Sequence, residues 1–258
     1  MAVRRIGDGS DYLDKNIVFN VTGMDDKTNY FISCWIKCNQ HSITNNSVVS
    51  LGVRRTSTDA IQYGYTLYST SYAENILQVG HDDFPPSGGA VNSTTLVKNQ
   101  GWQLFTFFRF SADIEDPAVT STRSIAKNNS MLATQQNPEI AEGTLISFEL
   151  FGKFDTNCDY SFFDLRVYDR VLYSQTRNLF LPSKGKDGII TDDISSSGKT
   201  CNLLLRTCIA NKATNGTDTG DLAQCNDHGP LKLTPDMSAV DANFQSEPDP
   251  WSPWIIGG

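Results

Sequence analysis

Glutamate is scarce in this 258-residue chain, standing only at positions 74, 115, 139, 142, 149 and 247. Only 19% of residues are charged, and the acidic side is mostly Asp. Asp, Asn, Ser, Thr and Gly are turn residues, while the plentiful Phe, Tyr, Val and Ile suit pleated strands. A helical bundle and a coiled coil are excluded. Basic residues are also in deficit, 21 against 29 acidic, for a formal charge of −8. Non-specific binding to DNA or anionic lipid needs a basic patch, so neither nucleic acid nor membrane is an expected partner. No apolar run of about 18 residues occurs, and no membrane span is predicted. The opening MAVRRIGDGSDYLD has the arginines of a signal peptide but not its apolar stretch. The expectation is a protein that stays where it is made, in a host cytoplasm, or leaves without a signal, as a virus particle released by lysis does.

Ligand-spaced metal motifs are missing as well. The six cysteines (34, 38, 158, 201, 208 and 225) form no C-x-x-C pair, and His41, His81 and His228 form no couple. Structural zinc is not expected. Cys34 and Cys38 lie four residues apart on one strand, about 13 Å at strand rise, too far for a mutual disulfide. Cys34 reads as a small core hydrophobe. Cys201, Cys208 and Cys225 could include one bridge, with reduced thiols the default expectation.

What is present is a series of strand-like runs separated by turn clusters. They fall at residues 17–21, 30–38, 47–54, 61–68, 75–80, 102–110, 144–151 and 159–169, with weaker candidates near 93–97, 122–126 and 130–133. No helical period intervenes, so βαβ crossovers are not expected. Alternation assigns faces: Tyr30, Ile32, Cys34, Ile36 and Cys38 oppose Ser33 and Lys37, while Ile146, Phe148 and Leu150 oppose Ser147 and Glu149. Phe163, Leu165 and Val167 likewise oppose Asp164 and Arg166, placing those two outward. The run 102–110 is apolar on both sides, as a central strand covered on both faces would be. Two packed antiparallel sheets explain the set better than a closed barrel.

One short helix is predicted over 174–181, capped by Ser174 and ended by Pro182. Beyond it Gly, Ser, Asp and Pro dominate. The expected organisation is therefore a sandwich over residues 1–182 and a loop-rich, extended C-terminal arm over 183–258.

Three segments resemble the laminin-G-like, concanavalin-A-like jelly-roll superfamily, in the usual order. They are GDGSDYLD (7–14), YFISCWIK (30–37) and FFDLRVYDRVLYSQTRNLF (162–180), the last similar to the closing strand and short helix of these domains. Tyr173 intervenes where the pattern has Leu-Ser directly. The resemblance spans about residues 5–182 and implies an all-β, two-sheet antiparallel jelly-roll sandwich of the kind found in bacteriophage virion proteins. In the closing motif Leu165 and Val167 fill the core, Arg166 and Tyr168 point outward, and the motif is structural.

The same fold hosts glycanases and polysaccharide lyases, so catalytic groups must be sought. A retaining glycosidase needs two carboxyls about 5–5.5 Å apart. Asp113 and Glu115 have the i, i+2 spacing, but the third acid of the superfamily's glycanases is missing and Pro117 puts the pair at a strand end or loop. Lyase-like Gln-x-His and Tyr-Phe-Lys signatures are absent, as are G-x-S-x-G, a phosphate-binding glycine loop and H-E-x-x-H. No enzyme is expected.

No cofactor is required. The resemblance implies a Ca²⁺ ion at the sandwich rim, which Asp and Asn oxygens suit. The candidate ligands are Asp82 and Asp83, the set Asp155, Asn157 and Asp159, and Asp25-Asp26. Tyr63, Tyr65, Tyr68, Tyr72 and Phe84 are the aromatics placed to stack on sugar rings, although Tyr63 and Tyr65 alternate around Gly64 as core residues would. The Asn-x-Ser/Thr sequons carry no argument in so Asn- and Ser-rich a chain.

The functional expectation is a non-enzymatic virion protein, a capsid decoration, fibre or tail-associated module, that binds other virion proteins or itself and attaches to host-surface glycans. The alternatives are a free-standing carbohydrate-binding module or a carbohydrate-active enzyme. Trp251, Trp254, Ile255 and Ile256, stiffened by three prolines, are the expected assembly anchor in a neighbouring subunit. The competing arrangement folds this end back over Trp102, Leu104 and Phe108.

Overall fold

The computed structural model describes residues 1–7, 17–25, 30–40, 48–55, 61–69, 77–80, 91–92, 101–111, 121–127, 130–136, 144–154, 158–168, 192–194, 200–207, 210–212, 222–227, 232–238, 240 and 243–250. These contain eighteen strands and no helix, and every strand pair is antiparallel. The helix expected over 174–181 lies outside the described residues.

The larger sheet runs in the order β10 (Ser130–Gln136), β9 (Ser121–Lys127), β8 (Gln103–Ser111), β3 (Tyr30–Gln40), β12 (Asp159–Tyr168), β1 (Ala2–Ile6), β18 (Phe244–Glu247). Two further strands, β13 (Asp192–Ile194) and β14 (Thr200–Thr207), join it through the pairing of β14 with β12. The smaller sheet runs β17 (Pro235–Asp236), β2 (Ile17–Asp25), β11 (Thr144–Phe154), β4 (Val48–Arg55), β5 (Ile61–Ser69), β6 (Leu77–Gly80), β7 (Val91–Asn92). A separate pair is formed by β15 (Ala210–Lys212) and β16 (Leu222–Cys225). The layout is all-β and antiparallel, consistent with a sandwich. All eight strongly patterned runs are strands, and the two weaker ones at 122–126 and 130–133 are β9 and β10.

Register decides what is buried. In the larger sheet one row passes through Val3, Phe162 and Ile36, and the next through Phe244, Arg5, Tyr160 and Cys38. All seven are buried. Arg5 is tolerated there because its guanidinium lies 5.0 Å from the Phe244 ring centroid, where the ring quadrupole attracts a cation. In the smaller sheet Ile17 and Phe19 are buried, Val18 is half-buried and Asn20 is exposed, the period of a one-sided strand. Neighbouring Leu104 and Phe105 on β8 are both buried, so this strand is covered on both faces as its composition predicts.

Two expectations are corrected. The first concerns Asp164 and Arg166, which simple alternation turns outward. Both are buried, and the Arg166 Nη2 and Nε donate to Asp164 Oδ2 at 2.6 and 3.1 Å. The cause is a change of partner along β12. Its first half pairs with β1 as far as Phe162, and its second half pairs with β14 from Leu165 onward. Against β3 the register slips between Phe163 and Arg166, so Asp164 and Leu165 form a bulge, with Asp164 at φ 49°, a conformation that Asp adopts more readily than most side chains. The bulge re-aims the following residues and turns Arg166 onto Asp164. The Phe163 carbonyl in the gap accepts a weak bond from the Cys34 thiol at 3.6 Å.

The second correction concerns the extended arm. Residues beyond 182 complete both sheets: β14 pairs with β12, β18 with β1, and β17 with β2. Phe244, carried by this part of the chain, is fully buried. The polar composition that suggested an appendage hides strands that acquire their apolar contacts only from the rest of the fold.

Candidate functional site

A candidate surface is assembled on the face of the larger sheet opposite Arg5 and Tyr160. A single register row crosses it: Gln245 on β18, Arg4 on β1, Ser161 on β12 and Lys37 on β3. Trp102 extends the row beside β8, since Gln103 pairs with Ile36. Four strand spacings separate the ends, about 19 Å. Strand alternation puts these polar groups on one side while Val3, Ile36 and Phe162 take the other.

The charges along the row interlock. Arg4 Nε donates to Asp159 Oδ1 at 2.8 Å, and its Nη2 bonds Asp159 Oδ2. Asn39 Nδ2 donates to the same Asp159 Oδ1 at 3.1 Å and to Ser161 Oγ at 3.2 Å. Glu247 lies between the two cations, 3.3 Å from Lys37 Nζ and 3.9 Å from Arg4 Nε. The Lys37 ammonium also sits 5.8 Å from the Trp102 ring centroid. The hydrogen bond that Arg4 donates to Asp159 foremost raises its pKa above the ordinary value; desolvation opposes this, and the negative charges of Asp159 and Glu247 add to the rise. The side-chain exposures are graded: Arg4 31% and Lys37 33%, against Asp159 12% and Glu247 10%. The cations are outermost, with the carboxylates beneath them.

Two other features of the described residues bear on chemistry. A groove of about 470 Å³ lies beside β17, with Asn226, Lys232, Thr234 and Met237 on its walls. Its shape follows from loop closure, because Asp227 Oδ2 accepts the Leu233 N–H at 2.8 Å and Lys232 adopts φ 51°. The described thiols of Cys34, Cys38, Cys158 and Cys225 are buried, and none of the four is in a disulfide. Burial pushes the Cys34 thiol strongly upward, which makes it a poor nucleophile. Among the described residues no three His, Cys, Asp or Glu groups gather as a metal site.

Of the residues singled out in the sequence, Asp159 stands beside the row, two positions from Ser161 on β12 and bonded to Arg4. Both its oxygens are engaged by Arg4, so a calcium ion there would have to displace a guanidinium. Tyr63 and Tyr65 on β5 pair with Val53 and Leu51, in rows that continue through Phe148 and Leu150 to Phe19 and Ile17. Those two end residues are core. Tyr68 pairs with Val48, in the alternate set of rows. Asp25 is the last residue of β2. Asp26, Tyr72, Asp82, Asp83, Phe84, Asp113, Glu115, Asp155, Asn157, Trp251, Trp254, Ile255 and Ile256 lie outside the described residues. Sequence reasoning missed Arg4, Gln245 and the role of Lys37. Only the outward position of Lys37 in its alternating strand pointed to this face.

No family model matches this chain, and no curated protein matches it. Among solved structures it is similar to a heptameric SAP-like pentraxin from Limulus polyphemus, at 14% identity and a TM-score of 0.47, over 68% of this chain and 79% of that one. It is also similar to the receptor-binding domain of botulinum neurotoxin C/D mosaic serotype (10%, TM-score 0.46, 79% of this chain and 46% of that one). A third is alginate lyase Aly36B (11%, TM-score 0.43, 65% of this chain and 80% of that one). The chain spans less than half of the neurotoxin chain. These are partial likenesses, each below a TM-score of 0.5.

Proposed function

We propose that the protein is a non-enzymatic glycan-binding module on a jelly-roll sandwich. The observation that carries the reading is the row Gln245–Arg4–Ser161–Lys37–Trp102. It sets amide, guanidinium and ammonium groups, carried on strands, in line with a half-buried indole beside β8. Sugars offer hydroxyl groups for directional bonds and C–H faces for an aromatic ring, and a site for them needs both kinds of group. Charge-assisted bonds from Arg and Lys are roughly twice as strong as neutral ones. Strands hold such groups in a fixed geometry, which lowers the ordering cost of binding. The reading includes no catalytic pair: along the row each carboxylate is committed to a cation.

A setting on a virus particle is proposed from the sequence, with Trp251, Trp254, Ile255 and Ile256 as the assembly anchor. A glycan array probed with the whole protein tests the binding reading. Selective retention of oligosaccharides is expected, and a blank array across host-surface glycans would overturn it.

A further inference from the structure

We infer that the row on β18, β1, β12, β3 and β8 takes an acidic glycan, a sugar chain bearing carboxylate or sulfate groups. The inference rests on the glycan-binding reading and assigns the ligand's class. It follows from which hydrogen-bonding capacity is already used. Asp159 spends Oδ1 on Arg4 and Asn39 and Oδ2 on Arg4, while Glu247 turns both oxygens toward the cations. The carboxylate acceptors of the row are thus consumed beneath it. The donors are not: Arg4 Nη1 and two of the three Lys37 ammonium protons have no acceptor among the described residues. The half-buried Gln245, paired with Arg4 in register, adds an amide. Among the described residues of the cluster the spare acceptors are two amide oxygens, Gln245 Oε1 and Asn39 Oδ1, the latter because both Asn39 bonds run through Nδ2.

A surface with donors outermost fits a ligand rich in acceptors. The cations are also about three times as exposed as the carboxylates that neutralise them, so an approaching anion meets positive charge first. In a chain of net charge −8 the two cations and two carboxylates of this cluster balance, and the difference in depth leaves the positive groups outermost. A guanidinium can hold a carboxylate or sulfate with two parallel bonds, and Lys37, reaching the same Glu247 as Arg4, adds a second cation within one ligand residue's reach. Trp102 bounds the row at one end as an apolar wall.

The test compares matched pairs of ligands that differ in charge: polygalacturonate oligomers and their methyl esters, sialyllactose and its methyl ester, heparin oligomers and their desulfated, carboxyl-reduced forms. Affinities are measured for the full chain by calorimetry at low and high salt. The acidic member of at least one pair should bind about tenfold or more tightly than its neutral partner, and the preference should shrink at high salt. Lys37→Gln should abolish the preference and Lys37→Arg restore it, a rescue that a purely structural lysine would not show at unchanged melting temperature. Equal affinity for acidic and neutral members would end the anionic assignment while leaving the glycan reading in place. Binding of none of the six would end both.

Discussion

Tyr160 lies fully buried beside Cys38 and Cys158, its hydroxyl hydrogen-bonded with Cys38. Burial foremost, then the two thiols, pushes its pKa well above that of an ordinary tyrosine. Above about pH 10 the unfolded chain releases this proton while the native one keeps it. The unfolded state then binds fewer protons, so stability falls as pH rises, by about 1.4 kcal/mol per pH unit for this group. Below that range the contribution is constant. Tyr160→Phe should cost about 1 kcal/mol at neutral pH through the lost bond, and should flatten the alkaline decline by that slope. Denaturant melts from pH 8 to 11 measure both; an undiminished slope in the variant would contradict the assignment. At this scale the sequence was only partly legible. Alternation marked Cys34, Ile36 and Cys38 as core correctly, but nothing local announces that Arg5 is buried against Phe244 from the far end of the chain.

The element most informative about the fold is β12, whose two halves have different neighbours. Its bulge holds an ion pair between Asp164 and Arg166 with both side chains almost wholly buried. Removing one partner of such a pair leaves an uncompensated charge and costs about 3–5 kcal/mol. Asp164→Ala should therefore destabilise severely in urea unfolding, and Asp164→Ala combined with Arg166→Met should be less damaging than the single change. Additive losses would show that the pair is not coupled. The eight patterned runs were readable because each carries apolar and aromatic residues between turn clusters, most of them in a two-residue period. The segment AVRRI was not, having arginine on both parities, and neither were Pro235–Asp236 and Phe244–Glu247, short and polar pieces that become strands by adding to an edge already formed. The bulge was invisible because alternation assumes one unbroken register.

For the molecule as a whole, the part beyond residue 182 is structural. A chain ending at 182 loses β14, β17 and β18 and exposes the surfaces they cover, so it should give no cooperative thermal transition and should aggregate. A chain ending at Pro250 keeps every described strand. It should melt close to the full protein and lose only the self-association or particle binding proposed for Trp251, Trp254, Ile255 and Ile256. A cooperative fold from residues 1–182 would restore the boundary expected from composition. The row itself could not be read from the sequence for the same reason: Arg4 and Gln245 stand 241 positions apart, and only closure of the sheet by β18 makes them neighbours.

The central claim is that this assembled row binds glycan, and affinity for a ligand retained on the array tests it most directly. Calorimetry would compare the full chain with Trp102→Ala, Lys37→Gln and, as a control on the groove beside β17, Thr234→Ala. The account predicts about a tenfold or greater loss for each of the first two, with no change for Thr234→Ala and circular dichroism unaltered throughout. Affinity that survives both row substitutions but falls with Thr234→Ala would contradict it and move the site to the groove.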